Sequence, residues 1–205
     1  MTAAEMLARL RTLLDETPEG FWDDDVDCYP ALSLAQLEVI KAIAPYKAKA
    51  LRTVLARTSQ TSQTFGITTG LDLPSDFYMM YSIKANATGG TEHTAYDRVT
   101  RHEYEDNPYM SSAADRLYYS ISGTDGGLKI YFEVAFVAGS LTMDYISKPA
   151  DIAAATDSTA EVPAELDSIA HNAIVWYAFA YLLQKAKLPS QDALLMYDNA
   201  IKTLI

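Results

Sequence analysis

Four aspartates within five positions, Asp23, Asp24, Asp25 and Asp27, are the densest group of chemically capable side chains in the sequence. Carboxylates at alternate positions are how a calcium loop gathers its oxygen ligands. This run fails that pattern, because the position that needs glycine for the sharp turn is Cys28 and the position that needs a bidentate glutamate is Leu34. It reads instead as carboxylates gathered at the positive end of a helix. His93, His102 and His171 are spaced to match no zinc motif, and the single cysteine, Cys28, can neither extend one nor close an internal disulfide. Gly139-Ser140 lacks the flanks of a nucleophile elbow, and the glycines between Gly123 and Gly127 precede no Lys-Ser/Thr pair that would hold a phosphate. No catalytic, cofactor or metal site is expected. Catalytic groups converge in space rather than along a chain, so a metal-dependent or hydrolytic enzyme stays open as an alternative of a different class.

Composition narrows the field. The length of 205 residues and the ordinary apolar share suit one globular core or one domain with an elaborated insertion. A net charge of −11 argues against sequence-independent binding to DNA or RNA, which requires clustered Lys and Arg. Charged residues Glu5, Arg9 and Arg11 interrupt the first apolar stretch, so no signal peptide is expected and synthesis is assigned to the cytoplasm. Charge is also unevenly placed. Residues 1 to 30 are strongly acidic, whereas Lys41, Lys47, Lys49, Arg52 and Arg57 follow with no acid after Glu38. Either the two segments face each other, within or between subunits, or both are solvated helix faces.

The elements that must position these residues begin with Val162 to Lys187, where Ala173 to Leu183 are all apolar or aromatic. Pro163 suits a first turn, Glu165 and Asp167 the N-terminal end, and Lys185 and Lys187 the C-terminal end. The predicted helix, from Ala164 to Lys187, is roughly 36 Å long, but its apolar run falls short of the about 20 residues that cross a bilayer. It must be covered by protein, some of which could come from neighbouring copies, with Trp176, Phe179 and Leu183 carrying much of the burial. Upstream, the capping box Thr2 to Glu5 opens a helix to about Glu16, broken by Thr17 to Gly20. Cys28, Leu32, Ala35, Val39 and Ile43 predict a second helix from Asp24 to Ala44, with a bend or restart at Pro30. Pro45 opens a third to about Arg57, and Thr58 to Thr64 reads as a polar loop.

The period then changes to two. Strands are expected over Phe77 to Lys84, Leu117 to Ser122, Leu128 to Val134 and Leu141 to Tyr145, with a weaker one over Thr94 to Val99 and a glycine hairpin from Ser122 to Gly127. A capping box at Thr100 to Glu103 could start a short helical turn, and Asn86 to Thr91 reads as a loop tip. Tyrosines of the strand region serve either a protein interface or cross-strand packing, with Tyr118 and Tyr131 on the outward phase. Residues 151 to 159 link the sheet to the long helix. Ser190 caps a last helix with the stripe Leu194, Tyr197, Ile201 and Leu204. The fold class is therefore α+β: a helical bundle of N-terminal (1–58) and C-terminal (160–205) helices with an inserted antiparallel β region (65–150).

Taken in order, Phe21-Trp22-Asp23-Asp24, Leu73-Pro74-Ser75-Asp76-Phe77, Leu117-Tyr118-Tyr119 with Leu128-Lys129-Ile130, Met143 to Pro149 and the aromatic helix Ile169 to Ala186 resemble the head-to-tail adaptor (connector) proteins of tailed bacteriophages. The resemblance spans about Phe21 to Lys187. It implies a structural virion protein of the neck, a homo-oligomer commonly of twelve copies in a ring under the portal protein. Such a ring extends the DNA channel and docks tail or nozzle proteins, and DNA passes through without specific binding. The helices would form the ring body and the sheet would face the tail or the outside. By the same analogy, Leu194, Leu195, Tyr197, Ile201, Leu204 and Ile205 are expected at the portal interface, or else they complete the subunit's own core. The acidic cluster Asp23, Asp24, Asp25 and Asp27 is expected between subunits or facing the channel, where like charge keeps DNA from sticking. Another neck or tail ring protein, a stopper or tail-tube component, is the alternative within the virion.

Overall fold

The computed structural model describes residues 1–15, 21–66, 68–86, 93–97, 117–124, 127–132, 135–154 and 164–205. Several expected features lie outside these residues: the break at 17–20, most of the loop tip at 87–91, the capping box at 100–103, the hairpin centre at 125–126, most of the linker before 160, and Val162-Pro163. The chain divides into two compact units, one helical (Met1–Val54 with Lys148–Ile205) and one of strands (Leu55–Ser147).

In the helical unit, Thr2 and Glu5 form the expected capping box, each satisfying a backbone N–H of the other, and α1 (Ala3–Leu14) ends at Asp15 in the left-handed conformation. Pro30 is accommodated by a change of helix type. A π-helical turn, Asp24–Cys28, widens the backbone, and the Tyr29 N–H donates to the Asp24 carbonyl five residues back. The chain then restarts as α2 (Tyr29–Ile43) with proline in its first turn, where a missing N–H costs little. The stripe Cys28, Leu32, Ala35, Val39 and Ile43 is fully buried.

The third helix expected from Pro45 does not form. Two short 3₁₀ turns, Ala44–Tyr46 and Lys49–Thr53, stand in its place, separated by Lys47 at φ 52°, a conformation that no helix propagates. The long helix is also shorter than expected. After a 3₁₀ turn (Ser168–Ala170), α3 runs over His171–Lys185, because the backbone N–H groups just before it have tertiary partners: Glu165 N–H donates to Gln36 Oε1 at 2.7 Å and Asp167 N–H to the Ala50 carbonyl at 3.3 Å. Helix α3 packs against α1, α2 and α4 (Gln191–Lys202). Its close contacts are made by Ala173, Ile174, Val175, Ala178, Ala180 and Leu182, whereas Trp176, Phe179 and Leu183 are only half-buried. Small residues let helices approach, and the bulky ones are left at the margin. The Ser190 hydroxyl does not cap α4; it accepts from Gln184 Nε2 at 3.3 Å. Among the described residues, no helix is long and apolar enough to cross a membrane.

The strand unit has the order β1-β7-β3-β4-β5-β6-β2. The stretch read as a polar loop lies inside β1 (Leu55–Phe65), which pairs antiparallel with β7 (Phe136–Ser147) from Leu55 opposite Ile146 to Phe65 opposite Phe136. As an edge strand, β1 needs ladder partners on one side only, and polar Ser, Thr and Gln suit that position. The other strands are β2 (Leu71–Asp72), β3 (Phe77–Asn86), β4 (His93–Asp97), β5 (Leu117–Thr124) and β6 (Gly127–Phe132). The β5–β6 hairpin pairs Thr124 with Gly127, which sits at φ 113° as only glycine readily does. Two antiparallel groups, β1-β7-β3 and β5-β6-β2, meet through β4, and the β4–β5 pair is parallel rather than antiparallel. The connection of residues 98–116 is long enough for the crossover that a parallel pair needs.

The core of this unit gathers Phe65, Ile83, Tyr119, Ile130, Phe132, Leu141 and Met143. Met80, on the outward phase by simple alternation, packs against it because the β3–β7 register shifts between Met80 and Ser82. Tyr118, expected to face out, is buried together with Tyr119, while Tyr131 is half-buried.

Candidate functional site

The acidic run is not a single surface. The Asp23 carboxylate accepts from the backbone N–H groups of Asp25 and Val26, both at 2.9 Å, and so caps the π-helical turn. Asp24 is held by the buried Arg11, whose guanidinium also donates to the Trp22 carbonyl at 2.8 Å. Asp27 pairs with Lys185 of α3 at 2.5 Å, and that bond holds its carboxyl below the ordinary value of 3.8 while raising the lysine. Asp25 is exposed and forms no ion pair among the described residues. Asp24 and Asp27 therefore face Arg11 and Lys185 rather than the basic stretch after Glu38, and Lys41 pairs locally with Glu38. Among the described residues, no group of three His, Cys, Asp or Glu side chains is placed to hold a metal ion.

Two buried polar residues of α2 had no motif to announce them. Gln36 Nε2 donates to the Ala150 carbonyl at 3.2 Å while its Oε1 accepts from Glu165 N–H, and Ser33 Oγ accepts from Ile152 N–H at 2.9 Å. The Glu165 carboxylate in turn accepts from Ala150 N–H at 3.2 Å. The chain that leaves the strands and the chain that enters α3 are thus both fastened to one face of α2. The only hint in the sequence is that Ser33 and Gln36, three apart, fall beside the apolar stripe rather than opposite it. His171 is buried as well: Nε2 donates to the Leu166 carbonyl and Nδ1 accepts from the Met1 ammonium, both at 2.9 Å, and burial pushes its pKa below 6.5.

An open groove of about 440 Å³ runs along α2 between Tyr29 and Leu37 and is closed on its other side by residues 151–153, with Asp25 at one end. On α4, the six residues expected at the portal do not share one orientation. Ile201 and Leu204 are buried, and Leu194 and Tyr197 are half-buried. Tyr197 meets Tyr177 of α3 edge-on at 5.1 Å, and burial drives its hydroxyl pKa up to about 12. Leu195 and Ile205 are more than half exposed, and they share the surface with Leu188 and Met196.

The chain is thus an α+β protein with its strands inserted between helices and with several apolar side chains exposed on its helical unit. The family described as SU10 adaptor protein matches residues 1–204, and the chain belongs to it: it is a phage head-to-tail adaptor. Membership gives it a structural place in the virion, in association with portal and tail proteins. No individual curated protein matches the sequence.

Proposed function

We propose that the protein is the repeating subunit of a ring, commonly of twelve copies, that sits beneath the portal, extends the DNA channel and offers the tail a docking surface. The family match over residues 1–204 carries the reading. In it the helical unit forms the ring body and the strand unit faces the tail or the outside. Leu195 and Ile205, exposed on and just after α4, dock on the portal, with Leu194 and Tyr197 beside them and Ile201 and Leu204 supporting the helix from within. Asp23, Asp24, Asp25 and Asp27 lie between subunits, and the net charge of −11 on each chain keeps the surroundings of passing DNA repulsive, so it slides without tight phosphate contact. Electron microscopy and native mass spectrometry of the chain mixed with its portal test the proposal, and failure to add a ring of copies to the portal sinks it. Leu195→Glu with Ile205→Glu should abolish portal binding without unfolding the subunit, since both residues are exposed. Retained binding would refute the docking assignment.

A further inference from the structure

We infer that copies of this chain join head to tail, the turn that carries Tyr46 on one copy filling the groove along α2 of the next. The inference rests on the ring reading above and supplies the contact that closes it.

The groove holds about 440 Å³, with Tyr29, Leu34, Leu37 and Ile152 among its lining residues and two exposed carboxylates, Asp25 and Asp151, at its edge. Neither carboxylate is in an ion pair among the described residues. At the other end of the same helix, the turn Ala44–Tyr46 presents a tyrosine that is 61% exposed. Exposed Lys47, Lys49 and Arg52 follow it in the chain, and Lys49 and Arg52 form no ion pair among the described residues. A tyrosine suits such a groove, having a large apolar ring with a polar tip and few rotamers to lose.

The two features are complementary in charge and are held apart within one copy. The groove runs along α2 from Tyr29 to Leu37, whereas Tyr46 lies beyond the end of that helix at Ile43, with roughly 9 Å of helix between Leu37 and that end. The neighbouring charges are already engaged inside the subunit, Asp24 by Arg11, Asp27 by Lys185 and Lys41 by Glu38. Among the described residues, Asp25 and Asp151 at the groove and Lys49 and Arg52 after the tyrosine are outside any ion pair. A contact between two different patches of identical chains is heterologous, and it closes into a ring when the rotation per step divides the circle. The charge asymmetry along the sequence then has a physical use: it orients each copy relative to the next in a chain whose net charge would otherwise drive copies apart.

Two variants and a crosslink test this on wild-type portal. The groove variant is Asp25→Lys with Asp151→Lys, and the knob variant is Tyr46→Ser with Lys49→Ala. Each alone should lose ring assembly by native mass spectrometry, with self-association weakened about a hundredfold. Mixed, they should form one-to-one pairs and no rings, because the groove variant keeps its knob and the knob variant its groove. Independently of charge, a Tyr46→Cys chain mixed with a Leu37→Cys chain on the portal should yield an oxidised dimer on a non-reducing gel. Either charge variant assembling like wild type overturns the contact and leaves the ring reading standing. So does Tyr46→Cys crosslinking to a portal or tail protein in place of Leu37→Cys. A wild-type chain that never joins the portal as a ring overturns both.

Discussion

The helical unit and the strand unit distribute polarity in opposite ways. All four polar residues that are buried among those described, Arg11, Ser33, Gln36 and His171, lie in the helical unit, as do nine of the twelve large apolar residues that are exposed. The strand unit closes its core with apolar and aromatic side chains and puts charge outside, where Arg57 of β1, Asp144 of β7 and Ser82 of β3 form a cross-strand cluster. The difference follows from how each kind of element satisfies its backbone. A ladder pairs N–H and C=O groups between strands, so the core needs no polar side chain. Helices satisfy only themselves, and the irregular segments between them, here 150–152 and 165–167, must borrow donors and acceptors from side chains such as Gln36 and Ser33. The exposed apolar surface of the helical unit is what an assembling body would carry.

The largest effect that would sharpen this contrast is expected from Phe132→Ala. It empties a site against Phe65 and Tyr119 and should cost about 3–5 kcal/mol, with hydrogen exchange losing protection in the strands first. Protection lost equally in α1 to α4 would break the contrast. Next, Gln36→Leu keeps the volume but leaves the Ala150 carbonyl and Glu165 N–H unsatisfied, at about 1–3 kcal/mol for each group. A denaturation midpoint unchanged from wild type would show that the helical unit does not depend on its buried polar anchor.

A smaller effect is tied to pH. His171 is held below its ordinary 6.5 by burial, so between that value and its lower folded pKa the unfolded chain binds more protons. Stability should therefore be level above about pH 6.5 and fall as pH drops through that window. Thermal melts of wild type and His171→Gln would check it, the variant losing the slope across that window. The smallest effect is expected from Arg57→Ala, which breaks an exposed pair. The Asp144 hydrogen bond raises the arginine's pKa, but solvent screens such pairs, and chemical denaturation should move little. A large loss there would mean the strand unit leans on its outer charges as the helical unit leans on its buried ones.

Local patterns fixed much of the fold in advance. The apolar stripe of α2, the capping box of α1, the hairpin between β5 and β6 and the aromatic helix α3 all follow from periodicity and turn chemistry, which depend on neighbours a few residues away. Pro30 likewise announced a restart, because a ring without an N–H has the same consequence in any context. Only the tertiary structure could decide that TSQTSQT is a strand, since a polar segment becomes one when β7 offers it a ladder. The same holds for α3 starting at His171 rather than Ala164, its missing turn having been drawn into bonds with Gln36 and Ala50. The aspartates carry the same lesson: of four identical side chains in five positions, Asp23 caps its own turn, whereas the ion pairs of Asp24 and Asp27 and the groove edge at Asp25 were decided by partners from elsewhere in the chain, Arg11, Lys185 of α3 and residues 151–153. Short-range physics is written in spacing, and long-range pairing depends on which distant segment arrives alongside.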